Sequence, residues 1–178
     1  MKKTTPSPSF LFLIFLTFMV MGKTYAQQNF NKDTLLVAAL EIMNETTYCA
    51  LVPVDSTGQP QVRTMNPYPA NDELITWFGT SRYSRKVREI RNNPKVAVYY
   101  ADHMNAKGYV NISGIAEVID DKDVLMKMKR AYWESSPGWQ EKFVLIRIIP
   151  VSVEVINYKH RLTNDPKTFK APMVNLKL

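Results

Sequence analysis

The order of β-rich segments constrains the fold of this chain more than any other feature. Six segments rich in strand-forming residues follow one another, and most are joined by short turns rather than by helices. This order does not fit regular βαβ units, in which a helix crosses over between parallel strands. It predicts a mainly β fold, an antiparallel sheet or small β-barrel with peripheral helices. The predicted strands are 46–54, 61–68, 73–78, 95–101, 109–119 and 143–156.

Three helices are predicted around this sheet, at 33–45, 82–92 and 120–132. In the first, apolar residues recur at the helical period and Asp33 can cap the start. The second ends at Asn93-Pro94, because proline disfavours the helical conformation in the residue before it. From Lys159 onward the composition is polar and includes Pro166 and Pro172. We therefore expect a loosely packed C-terminal tail.

The first 26 residues have the pattern of a secretory signal peptide. Lys2 and Lys3 precede a nearly continuous apolar run from Phe10 to Met21, and Ala26 ends an acceptable cleavage site. The run is shorter than the roughly 20 residues that cross a bilayer, although an uncleaved anchor is the alternative. We predict a signal peptide at 1–26, one domain at 27–158 and a tail at 159–178. The protein is then exported, to a periplasm or out of the cell, with no stable membrane span after cleavage.

The charged residues, the cysteine and the histidines narrow the classes of ligand and reaction that the sequence predicts. The formal net charge is +7, which suits an anionic small molecule, and no Lys/Arg run interleaved with aromatic residues indicates nucleic acid. The single cysteine, Cys49, lies in an apolar run and is predicted to be an inert core thiol. The two histidines show no metal-ligand spacing, so no metal site is predicted. No pair of carboxylates suggests hydrolysis.

A turn rich in hydroxyls and cations lies where strand 73–78 gives way to helix 82–92. A helix start carries unpaired N–H groups and a partial positive charge, which attract anions. Serine and threonine hydroxyls can donate to oxyanions, an arginine can bind two phosphate oxygens at once, and a lysine adds a point charge. The sequence therefore suggests a phosphate cradle formed by Thr80, Ser81, Ser84, Arg85 and Lys86. The alternative is an N-capped, solvated basic helix start.

Three segments resemble the pyridoxamine 5′-phosphate oxidase-like family, most closely its short, general-stress-protein-type members. They are WFGTSRYSRKVREIRNNPKVAVYY, VNISGIAEV and FVLIRIIPVSVEVIN, and the resemblance extends over about residues 33–158. Its most specific part is Phe78-Gly79-Thr80, followed by Ser84-Arg85-Lys86 and Asn93-Pro94, with Arg63 on the preceding hairpin strand. The resemblance implies a six-stranded antiparallel split barrel of the FMN-binding type. It also implies a homodimer with two flavins at the subunit interface.

The resemblance further implies which residues contact FMN. The phosphate would be held by Thr80, Ser84, Arg85 and Lys86. The ribityl chain and the edge of the isoalloxazine ring would lie along Arg63, Thr64 and Met65. The ring would be flanked by Trp77 and Phe78, of which strand alternation turns one inward and one outward. The flavin of the partner subunit would be reached by Tyr109 or Asn111.

The chain departs from true pyridoxamine phosphate oxidases on the substrate side. Those enzymes carry a lysine a few residues after the hairpin arginine, where this chain has Asn66-Pro67-Tyr68-Pro69. They also carry a glutamine at the position of Tyr109 and an arginine- and histidine-rich C-terminal segment. We therefore predict an FMN-binding flavoprotein, an oxidoreductase of unassigned substrate and without an assigned catalytic residue. The alternatives are a non-catalytic flavin- or haem-binding module on the same dimeric scaffold, and a cofactor-free dimer that binds an anion.

Overall fold

The structure is a computed structural model that describes residues 30–176. Its four α-helices in that range are α1 (Lys32–Glu45), α2 (Arg85–Asn92), α3 (Lys122–Lys127) and α4 (Trp139–Lys142), and Ala131–Trp133 forms a 3-10 turn. Its strands in the same range are β1 (Cys49–Val52), β2 (Arg63–Met65), β3 (Thr76–Ser81), β4 (Lys95–Ala101), β5 (Gly108–Ile119), β6 (Phe143–Asn157) and β7 (Met173–Asn175). The predicted signal peptide lies outside the described residues.

The strands form one antiparallel sheet in the order β2-β1-β4-β5-β6-β3. The two ends of this order meet, because Pro67, just after β2, bridges to Phe78 of β3 and the Tyr68 N–H donates to the Trp77 carbonyl. β6 pairs with β3 through its first half and with β7 through its second half. The predicted mainly β antiparallel barrel is thereby confirmed.

The sheet bends where β5 and β6 cross the middle of the barrel. The register between them shifts between Ser113 and Gly114, opposite Pro150, which cannot donate a ladder hydrogen bond. A side chain at Gly114 would lie 2.8 Å from the carbonyl oxygen of Ile149, so the close approach of the two strands requires glycine. The irregularity between β5 and β6 is therefore a β-bulge.

Two apolar clusters fill the fold. The larger one joins the inward side chains of the sheet, such as Leu51, Phe78 and Tyr100, to the buried face of α1. The smaller cluster lies beneath α3, α4 and the 3-10 turn and contains Leu125, Trp133, Trp139 and Leu145. The smaller cluster matters for function, because it supports one wall of the candidate site.

Two parts of the chain differ from the sequence expectation. The helix predicted over 120–132 ends at Lys127, because Arg130 is extended (φ −80°, ψ 142°) and its guanidinium binds backbone carbonyls of a distant segment. The tail expected to be loosely packed contains β7, and Leu162 is only 1% exposed. A strand of three residues is too short to be recognised from the periodicity of its sequence. Its pairing with β6 stabilises it.

Candidate functional site

A polar cavity of about 330 Å³ opens between the ends of β2 and β3. β2 and the residue after it contribute Thr64, Met65 and Asn66, and β3 contributes Gly79, Thr80 and Ser81. The remaining wall comes from α2, from the segment around the 3-10 turn and from the first residue of β6. It consists of Lys86, Arg130, Tyr132 and Phe143. The cavity therefore combines two cations with hydroxyl and backbone groups.

Three residues of the predicted cradle, Thr80, Ser81 and Lys86, line this cavity, whereas Ser84 and Arg85 do not. Ser84 caps α2 in an extended conformation (φ −66°, ψ 148°), so the helix starts at Arg85 rather than at the predicted Arg82. The Lys86 ammonium points back across the turn and donates to the Thr80 hydroxyl at 3.0 Å. Burial lowers the pKa of Lys86, and the Arg63 guanidinium lowers it further, while Glu89 acts in the opposite direction. A poorly solvated cation of this kind binds an oxyanion more strongly than an exposed one does.

The Ser84 hydroxyl is a polar group without a partner. Its oxygen is buried, it makes no capping hydrogen bond to α2, and no acceptor or donor meets it within residues 30–176. An unsatisfied buried hydroxyl costs about 1–3 kcal/mol, so such groups in native structures call for an explanation. A ligand oxygen at the helix start would supply the missing hydrogen bond.

Arg63 is fixed beside the cradle by an ion pair. Its Nη2 donates to both oxygens of Glu89 on α2, at 2.9 and 3.1 Å. The two side chains are only 17% and 10% exposed. This pair links β2 to α2 and holds a second cation near Lys86, although Arg63 is not among the residues lining the cavity. Arg85 points to solvent in the described structure.

Trp77 and Phe78 lie on opposite faces of β3, as strand alternation predicts. Phe78 is fully buried in the larger apolar cluster. Trp77 is half-buried against the smaller cluster, with the Arg147 guanidinium 5.6 Å from its ring centroid. Neither side chain lines the cavity. Their proposed contact with a flavin ring stays a prediction.

Tyr109 and Asn111 lie on the outer face of the sheet, away from the cavity. They alternate along β5 with Val110 and Ile112, which are fully buried. The Tyr109 hydroxyl donates to Glu154 at 2.7 Å, and burial together with this carboxylate raises the pKa of Tyr109 well above its ordinary value. Of the predicted site residues, Tyr109 and Asn111 therefore lie on an outer face that is separate from the cavity.

The sequence did not indicate the part of the cavity wall formed by Arg130. The Arg130 guanidinium lies 3.8 Å from the centroid of the Tyr68 ring, and its Nη2 donates to the carbonyls of Asn66 and Pro67 at 3.1 and 2.9 Å. These contacts connect residues more than 60 positions apart, so no local pattern could have indicated them. The apolar helical period gave no signal either, since Ala131 continues the spacing of Val124, Leu125 and Met128.

Gly79 lies on the cavity floor, in contact with the smaller apolar cluster. A Cβ at this position would lie 2.4 Å from Cζ2 of Trp133. Trp133 cannot readily move, since it is fully buried and stacked on Phe143 at 4.7 Å with 6° between the rings. Glycine is therefore required here by close approach.

The described residues contain neither a cluster of metal ligands nor a membrane-spanning helix. Within residues 30–176, no group of three or more His, Cys, Asp or Glu side chains is arranged to hold a metal ion. Over the same range, no helix has the length and apolar character needed to cross a membrane.

Solved structures share this fold at low sequence identity. General Stress Protein 26 from Bacillus anthracis str. Sterne is 21% identical and has a TM-score of 0.61, with 80% of this chain and 98% of that chain covered. A pyridoxamine 5′-phosphate oxidase-related, FMN-binding protein from Nostoc punctiforme is 16% identical, with 80% and 93% covered and a TM-score of 0.52. An F420 reductase is 24% identical, with 64% and 93% covered and a TM-score of 0.52.

The sequence itself matches a family model. No curated protein matches the chain in sequence. The model described as pyridoxamine 5′-phosphate oxidase, however, matches residues 36–160, which include every strand from β1 to β6 and the whole cavity wall. The chain therefore belongs to the pyridoxamine 5′-phosphate oxidase family.

Proposed function

We propose that this protein binds FMN in the cavity and works as a flavin-dependent oxidoreductase. The observation that carries the proposal is the cradle, where Lys86 is half-buried beside Thr80 and the Ser84 hydroxyl has no partner among the described residues. These groups fit a phosphate monoester, which needs several donors and a compensating positive charge. Bound FMN would supply reversible redox chemistry of its isoalloxazine ring, while the protein supplies binding and orientation.

The residues of the chain have distinct roles in this proposal. Lys86, Thr80 and Ser84 bind the phosphate, and the Arg63–Glu89 pair positions a second cation beside them. Thr64 and Met65 line the cavity next to the cradle, where the ribityl chain and ring edge would lie. No side chain need act as a strong acid or base.

We further propose that the outer face of β4, β5 and β6 is covered by a second copy of this chain. A largely apolar groove of about 430 Å³ lies on this face, and its walls include Val52, Ala97, Ile115 and Val151. Tyr109 and Asn111 lie on the same face, which would let them complete the partner subunit's site. Sedimentation of the purified protein at micromolar concentration should give the mass of a dimer, and a monomer would refute this part.

Export remains a proposal based on the first 26 residues. Cell fractionation and N-terminal sequencing of the mature protein would test it. A mature start near Gln27 in an exported fraction is expected, and a full-length protein retained in the cytoplasm would contradict it.

FMN titration tests the cofactor directly. Flavin fluorescence or visible absorbance would be followed as FMN is added to the purified protein, and released chromophore would be identified by mass. Removal of one charge-assisted contact should weaken binding about tenfold, so we expect this loss in Lys86→Gln and a larger one when Ser84→Ala is added. Arg88→Gln is the matched control, since Arg88 is an exposed cation on the same helix.

Two further measurements distinguish an oxidoreductase from a flavin-storage protein, and FMN from the deazaflavin coenzyme F420. Reduction of the bound flavin by NAD(P)H, followed by reoxidation, would support the oxidoreductase and count against a storage module. A parallel titration with coenzyme F420 tests the second cofactor, which the structural likeness to an F420 reductase suggests. Equal FMN affinity in the native protein and the double variant would show that the cradle does not bind the phosphate.

A further inference from the structure

Arg130 is the unusual arginine of the described chain. Within residues 30–176, four arginines are half-buried. Three of these have a carboxylate partner: Arg63 pairs with Glu89, Arg82 with Asp120 and Arg147 with Glu117. Arg130 has none in that range, although it lines the cavity. A partly desolvated guanidinium without a counter-charge is a binding group for an anion.

The geometry leaves one side of this guanidinium available. Nη2 is occupied by the carbonyls of Asn66 and Pro67, and one face is stacked on the Tyr68 ring. The Tyr68 side chain is the other polar group in contact with Arg130, so Nε and Nη1 have no carbonyl or carboxylate acceptor within residues 30–176, and these contacts hold the group in place. The stacking therefore orients a planar donor before any ligand arrives, which reduces the entropy lost on binding.

The two cations of the cavity stand in different surroundings. Lys86 lies among hydroxyls and a helix start, which suits the three oxygens of a phosphate. Arg130 binds the carbonyl of Asn66, and apart from Lys86 and Arg130 no residue that lines the cavity carries a charge. The donors left on Arg130 match the two oxygens of a carboxylate.

We propose that Arg130 forms a second anion subsite, which binds the carboxylate of the small substrate oxidised or reduced in this cavity. This inference rests on the proposed function, because it names the substrate class of the same site. It assigns to Arg130 a contact with substrate and none with the flavin phosphate. The redox step remains the flavin chemistry of the proposed function.

Benzoate is a suitable probe, with benzamide as its uncharged counterpart and inorganic phosphate as the competing oxyanion. Each would be titrated into FMN-loaded protein and followed by the shift in the flavin spectrum. We expect benzoate to bind and benzamide to fail. Arg130→Gln, which removes the positive charge, should weaken benzoate about tenfold, and Arg130→Lys should retain part of the affinity. Lys127→Gln, an exposed cation on α3, is the matched control.

Each of these results tests the carboxylate subsite independently of FMN binding. Unchanged benzoate affinity in Arg130→Gln would overturn it, and so would phosphate binding as tightly as benzoate in an Arg130-dependent manner. A parallel loss of FMN affinity in Arg130→Gln would make Arg130 a flavin ligand instead. If the native protein binds no FMN, the proposed function fails. In that case a benzoate titration monitored by tryptophan fluorescence would still test Arg130. If one of the two Arg130 variants has a low melting temperature, the other variant provides the test.

Discussion

The close contact between Gly79 and Trp133 predicts that a side chain at position 79 destabilises the protein. In Gly79→Ala the new methyl group would lie 2.4 Å from Cζ2 and 3.2 Å from Cη2 of a fully buried indole. Real side chains do not approach so closely, so either the indole or β3 must shift. Overpacking of this kind costs about 1–3 kcal/mol. For a chain of this length that lowers the melting temperature by about 2–12 °C.

A double-mutant cycle isolates the cause. Trp133→Phe removes the atoms that clash and loses no hydrogen bond, since the indole N–H has no partner within residues 30–176. Alone it should cost about 1–2 kcal/mol for the lost ring atoms. The two substitutions together should cost about 1 kcal/mol less than the sum of their single effects. Urea unfolding of the four proteins measures this coupling, and strictly additive effects would show that the contact does not restrict position 79.

Three other predictions concern charge and burial. Glu89→Gln removes the counter-charge of Arg63 and should lower the free energy of unfolding by about 1–3 kcal/mol in urea titrations, and no change would mean that the pair is solvated. A hydrogen bond from Lys159 lowers the pKa of Glu41, so this carboxylate stabilises the fold above its ordinary pKa of 4.5 and the contribution is lost as pH falls below that value. Melting temperature should therefore depend less on pH in Glu41→Gln between about pH 5 and 3. Burial raises the pKa of Cys49 to about 12, so the thiol should resist thiol reagents at pH 8 until urea unfolds the protein, and fast labelling of the native protein would refute its burial.

Local patterns in the sequence determined the elements of the fold and their order. Alternation of apolar residues predicted the long strands, and β4 was predicted with its observed bounds of 95–101. Helical periodicity and Asn93-Pro94 located α1 and α2, because such signals depend on neighbours within a few residues. The hydroxyl- and cation-rich turn after β3 was recognisable for the same reason. The resemblance to a family then supplied the barrel.

Tertiary structure decided which distant residues meet. Arg63 pairs with Glu89, 26 positions away in the chain. Arg130 reaches the cavity by binding carbonyls more than 60 positions away, and β7 forms only because β6 offers it an edge. Each of these contacts depends on long-range packing, whose free energy outweighs local preference but leaves no periodic trace in the chain. The sequence by itself therefore indicated the cradle, and the folded chain placed in the same cavity wall an arginine that has no carboxylate partner among the described residues.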